Sequence, residues 1–165
     1  MNAIILMFVL TTFQPDAEQC SLAKLDQAET AMDSMTTWQA VDDFYARYQK
    51  CDDGYIQEGA SDRIIRLLVD KWHELDELAA RVKSHPALAE YVLMHISSYL
   101  DREDLLRLQM LASAQCKREN RALCNCILSR VSTALKRLSA FEQSPPALEN
   151  QKKLRNYFPV IIDAA

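Results

Sequence analysis

Apolar residues recur along this chain at three- and four-residue steps, the rhythm that lays one stripe down a helix. In residues 21–33 the stripe is Leu22, Leu25, Ala28 and Met32. Thr36 or Thr37 is placed to cap a second helix. Its inward residues are Trp38, Val41, Tyr45 and Tyr48, with Phe44 beside them, and it ends near Cys51. Asp52-Asp53-Gly54 reads as a turn and an N-cap for segment 55–72. That segment carries Ile56, Ala60, Ile64, Leu67, Leu68 and Trp72 on one face. Gly59 is expected to divide it, with Ser61 capping the second part.

Residues 74–83 turn Leu75, Leu78, Ala79 and Val82 inward. Pro86 suits the first position of a helix over 86–100, with Leu88, Val92, Ile96 and Tyr99 inward. Asp101 opens the next helix, lined by Leu105, Leu108, Leu111 and Ala112 and closed by Cys116. Asn120 is expected to cap a helix over 121–141, striped by Leu123, Ile127, Val131, Ala134 and Leu138. Ser144-Pro145-Pro146 ends it. A last helix is expected near 147–156, and the tail around Pro159 is apolar enough to dock on the body.

The pattern predicts an all-α fold: a compact array of seven to eight antiparallel helices, bundle- or solenoid-like in its local pairing. Only two glycines occur in 165 residues, and strand-rich folds need more for their tight turns. No internal repeat is evident. A hydrophobic content of 49% argues against disorder and provides for one core, placed in a single domain over 18–165.

Residues 3–10 are apolar but too short to span a bilayer. They fit the h-region of a secretory signal over residues 1–17, cut near Ala17. No Lys or Arg precedes the run, and Pro15-Asp16-Ala17 is a poor cleavage site, so a buried first strand or helix is the alternative. No other segment is expected to cross a membrane.

Charge is polarised. Residues 16–62 carry eleven acidic and three basic side chains, whereas 117–155 carry nine basic and three acidic. These faces either attract each other or meet a partner. A pI near 5.4 and the absence of a nucleic-acid-binding motif point away from DNA and RNA.

The five cysteines sharpen the compartment. Cys20 precedes the first helix and Cys51 follows the second, so a hairpin would bring them together. Cys116 and Cys124 flank the turn between the sixth and seventh helices. Cys126 is left over. Disulfides at these two necks imply a periplasmic or secreted protein; buried free thiols in the cytoplasm are the alternative. Cys116, Cys124 and Cys126 lack the C-x-x-C spacing that zinc and thioredoxin-like chemistry use.

His73-Glu74-Leu75-Asp76-Glu77 begins like a zinc-protease helix but has Glu77 where the second histidine belongs. His85 sits in a turn, and His95 at the edge of a core stripe reads as structural. Asp42, Asp43, Asp52, Asp53, Glu58 and Asp62 form an acidic band without calcium-loop spacing. There is no glycine-rich phosphate loop, so no metal or cofactor is implied.

The acidic band lies beside Trp38, Phe44, Tyr45, Tyr48 and Tyr55. If exposed, Trp38, Tyr45, Tyr48 and Tyr55 with Asp42, Asp43, Asp52 and Asp53 would make a protein-binding patch. The leading expectation is an exported, non-enzymatic protein that binds a protein partner, such as a periplasmic inhibitor or immunity-type protein. An enzyme built on His73, His95 and nearby carboxylates is a second class, and an envelope structural or assembly factor a third. Oligomeric state leaves no signature in the pattern.

Overall fold

The computed structural model describes residues 20–143. The segment read as a signal, the helix expected near 147–156 and the apolar tail lie outside the described residues. Within them are seven α-helices and no strand. They are α1 (Leu22–Asp33), α2 (Trp38–Tyr48), α3 (Gly54–Asp70), α4 (Leu75–Ser84), α5 (Pro86–Met94), α6 (Arg102–Ala114) and α7 (Arg121–Glu142). Short 3-10 turns at Gln49–Cys51, Trp72–Glu74 and Arg118–Asn120 join them.

Local chemistry sets several starts. Ser21 accepts from Lys24 N–H and Thr37 from Ala40 N–H, each satisfying an orphan donor of a first turn. Asp101 does the same for Glu103 N–H at the start of α6. Gly54 has φ +53°, a conformation that costs a side-chain-bearing residue about 1 kcal/mol or more, so glycine belongs there.

Three successive pairs pack together, α1 with α2, α4 with α5 and α6 with α7, and further contacts fold the row into a bundle: α1 meets α3, α2 meets α4 and α5, α3 meets α6, and α5 meets α7. α3 is the most deeply embedded, burying Ile56, Ala60, Ile64, Ile65, Leu67, Leu68 and Val69. The Cys116–Cys124 bridge pins one end of the α6–α7 hairpin, and an Arg102–Glu142 ion pair joins the other, which makes the pair antiparallel.

Five local expectations need correction. Gly59 does not divide α3, because α1 crosses so closely that Met32 Sδ and Cε lie where a Cβ would sit. The glycine admits a neighbour instead of ending a helix. Ser61 is accordingly no cap: it lies inside α3, with Oγ donating to Gln57 O at 2.8 Å. The helix begun at Pro86 stops at Met94 instead of 100. Ser97 Oγ accepts Tyr99 N–H there, an alternative to the helical ladder that serine offers. The broken phase turns Tyr99 outward, 92% exposed. Asn120 stands at the start of α7, but its side chain is buried and donates to Asp76 Oδ1 at 2.7 Å, tying α7 to α4. Leu22, expected inward, is also exposed.

Candidate functional site

The acidic and aromatic hairpin is largely interior. Trp38 is 1% exposed, and Phe44 stacks on Tyr48 with centroids 5.4 Å apart. Tyr45 is half-buried against Tyr91 at 4.9 Å. Asp42 follows Trp38 by one helical turn and so shares its buried face. Its carboxylate lies 3.1 Å from His85 Nδ1 and 3.6 Å from Arg81 Nη1, which offset the burial. Asp43 is half-buried and accepts from Gln39 Nε2. Asp53 is exposed and takes the Gly54 N–H. Asp52 turns inward, its side chain 1% exposed. Of these eight residues, Asp53 and Tyr55 are exposed, Asp43, Tyr45 and Tyr48 are half-buried, and Trp38 and Asp42 are buried, with the Asp52 side chain turned inward.

The inward turn of Asp52 completes a buried polar set. His95, at the end of α5, is 1% exposed. Its Nδ1 lies 2.8 Å from Ser61 Oγ, and its Nε2 lies 3.0 Å from Asp52 Oδ2. The second contact has ion-pair distance without hydrogen-bond alignment, since neither carboxylate oxygen of Asp52 has an aligned donor. Tyr91 packs edge-on against the imidazole at 4.5 Å. Burial, and then the neighbouring Asp52 carboxylate, push the Tyr91 phenol far above its ordinary value of 10.0.

Three elements thus meet at one imidazole: the turn before α3, the middle of α3 and the end of α5. By sequence alone these residues fall into three separate roles, Asp52 in a turn, Ser61 as a cap and His95 as a structural histidine. Phase held the missing signal, because Ser61 precedes Ile64 and Ile65 by three and four residues on the buried face of α3. Ser61 Oγ lies 2.8 Å from Gln57 O as well as 2.8 Å from the imidazole, and its own N–H belongs to the helical ladder, so this N–H offers no oxyanion contact.

The raised Tyr91 phenol has a signed consequence. Below pH 10 both states keep the proton; above it the unfolded chain releases a proton that the folded one retains, so stability falls as pH rises. Tyr91→Phe is therefore expected to flatten the decline in urea midpoint between about pH 9 and about pH 11 relative to wild type. An unchanged decline would contradict the burial of this hydroxyl.

Directly outside Ser61 lies a cleft of about 550 Å³ between α3 and the α5–α6 connection. Glu58, Asp62, Asp101 and Asp104 line it together with Ile65, Met94, Tyr99 and Leu100, and among the described residues no Lys or Arg does. Asp104 is paired with Arg66, which also lies near Asp62, and Asp101 serves as the α6 cap. Glu58 has no ion-pair partner among the described residues. Tyr99 at the rim and Met94, 45% exposed, leave apolar surface in water beside the carboxylates.

His73 is far more open than His95, its side chain 77% exposed with Nε2 3.7 Å from Glu74. It lines a second cleft of about 400 Å³ with Asp70, Asp76 and Lys117. His95 does not line that cleft, so the structure does not join the two histidines in one site. Among the described residues, no three His, Cys, Asp or Glu side chains are grouped to hold a metal ion.

The cysteines meet as two pairs. Cys20 and Cys51 have Cα atoms 4.9 Å apart, Cys116 and Cys124 6.3 Å, and both pairs are closed as disulfides. Cys126 is free and exposed. No described helix is long and apolar enough to cross a membrane. Compared with known proteins, the chain matches no family model, no curated protein and no solved structure.

Proposed function

We propose that the protein is an exported, non-enzymatic helical protein that binds a partner protein through the cleft between α3 and the α5–α6 connection. The observation that carries this reading is the composition of the cleft. Among the described residues, four carboxylates line it without a Lys or Arg, and exposed Tyr99 and Met94 stand at its edge. Tyrosine is a favoured anchor of protein interfaces, and clustered charge of one sign steers a partner of the other. The partner surface it fits is basic with an apolar centre. Two cysteine pairs at bonding distance fit an oxidising compartment, periplasmic or extracellular. A small inhibitor or immunity-type role accords with the size and fold by analogy only.

The test is capture from an envelope extract of the source cell with three baits: wild type, Asp62→Lys, and Tyr99→Ala. A partner held by wild type is expected to fall by about tenfold or more on each variant, as loss of an interface anchor implies. Equal recovery on all three baits would place binding elsewhere.

A further inference from the structure

Two exposed stripes on different helices match each other in charge and spacing. On α1, Leu22, Asp26, Glu29 and Asp33 recur at steps of four, three and four, so they share one face, and all four are exposed. On α7, Arg130, Thr133, Arg137 and Phe141 recur at steps of three, four and four and are exposed in the same way. Each stripe ends in an apolar side chain held in water, Leu22 at 81% exposed and Phe141 at 72%. Each also carries charge of one sign. α7 has Arg121, Arg130, Lys136 and Arg137 with no acid before Glu142, whereas Lys24, the one cation of α1, is half-buried on another side of that helix.

The spacings agree when the two helices run antiparallel. From Leu22, Asp26 stands four residues on and Asp33 eleven; from Phe141, Arg137 stands four residues back and Arg130 eleven. Both stripes therefore span about 16 Å. Leu22 then meets Phe141, Asp26 meets Arg137, Asp33 meets Arg130, and Glu29 falls between the two arginines. Asp33 already meets Arg63 at 3.1 Å, but its side chain is 68% exposed and keeps lone pairs for a second cation. Within one copy, α1 packs on α2 and α3 and α7 packs on α5 and α6, with the α3–α6 contact between them, so a copy does not close its own two stripes.

We propose that the α1 stripe of one copy docks antiparallel on the α7 stripe of a second copy. The contact joins two different faces, so copies associate head to tail, in a row or a closed ring. It is small and rich in charge, hence weak between dilute copies and weakened further by salt. It uses no residue of the acidic cleft, so it stands or falls apart from the binding role above.

Sedimentation of the full chain over a rising concentration series tests this, with Cys126→Ser in every sample so that thiol coupling contributes no dimers. The chain is expected to associate as concentration rises and to dissociate on added salt. Arg137→Glu and Asp26→Lys are each expected to weaken association about tenfold, and the two together in one chain to restore it, because the reversed pair attracts again. Lys136→Glu, off the stripe, is expected to leave association unchanged. An unchanged urea midpoint shows that each variant is folded. A chain that stays monomeric at every concentration would overturn the proposal. So would association that neither single variant alters, a loss that the double variant does not restore, or equal weakening by Lys136→Glu, which would make net charge the cause.

Discussion

His95→Ala is expected to cost about 3–5 kcal/mol of folding stability. The reason lies in what the substitution leaves behind. The Asp52 side chain is 1% exposed, and its closest basic group is the His95 ring at 3.0 Å. Without the imidazole, a carboxylate stays buried with no opposing group, and Ser61 loses its contact at 2.8 Å. A domain has roughly 5–15 kcal/mol in total, so the variant would sit near the edge of folding. Asp52→Asn in the His95→Ala background removes the stranded charge and is expected to recover part of the loss. Urea unfolding of the two single variants and the double variant closes the cycle. A loss under about 1 kcal/mol for His95→Ala would mean that the set is solvated and does not join α3 to α5.

The second large effect concerns the N-terminal hairpin. Cys20–Cys51 closes a separation of 31 residues, and Cys116–Cys124 one of eight. On the chain-entropy view, the first adds about 3–4 kcal/mol and the second about 2–3, since the longer loop loses more freedom when unfolded. Cys20→Ser with Cys51→Ser should therefore lower stability more than Cys116→Ser with Cys124→Ser. The local setting reinforces the difference. Cys51 is 3% exposed and immediately precedes Asp52, so loosening it also frees the turn that presents the buried carboxylate. The measurement is the urea midpoint of each double variant under oxidising conditions. The reverse order would show that loop length does not govern these bridges.

Helix phase was legible where the stripe was long and apolar. Ile56, Ala60, Ile64, Leu67 and Leu68 of α3, and Leu105, Leu108, Leu111 and Ala112 of α6, are buried as the periodicity implies. The cysteine pairing was legible for a related reason: hairpin geometry alone places the residues at each neck together. The burial of individual polar residues was not legible, because a stripe specifies which side faces in without weighing each polar residue on it. Asp42 shares the phase of Trp38 and is interior, with Arg81 and His85 beside it; neither is near it in sequence. Asp52 belongs to a turn, where periodicity carries no information about inward or outward. The cleft is likewise a product of tertiary structure, since its carboxylates come from α3 and α6 and its exposed tyrosine from the connection where α5 ends early.

The most direct test of the cleft as the working surface is a photoreactive phenylalanine analogue placed at position 99 or position 55 in the source cell. Tyr99 stands at the cleft rim, whereas Tyr55 belongs to the N-terminal acidic region. Illumination is expected to join position 99 to a second protein, giving one adduct of higher mass, and to give none from position 55. An adduct from position 55 with none from position 99 would contradict the cleft and return the binding surface to the N-terminal hairpin.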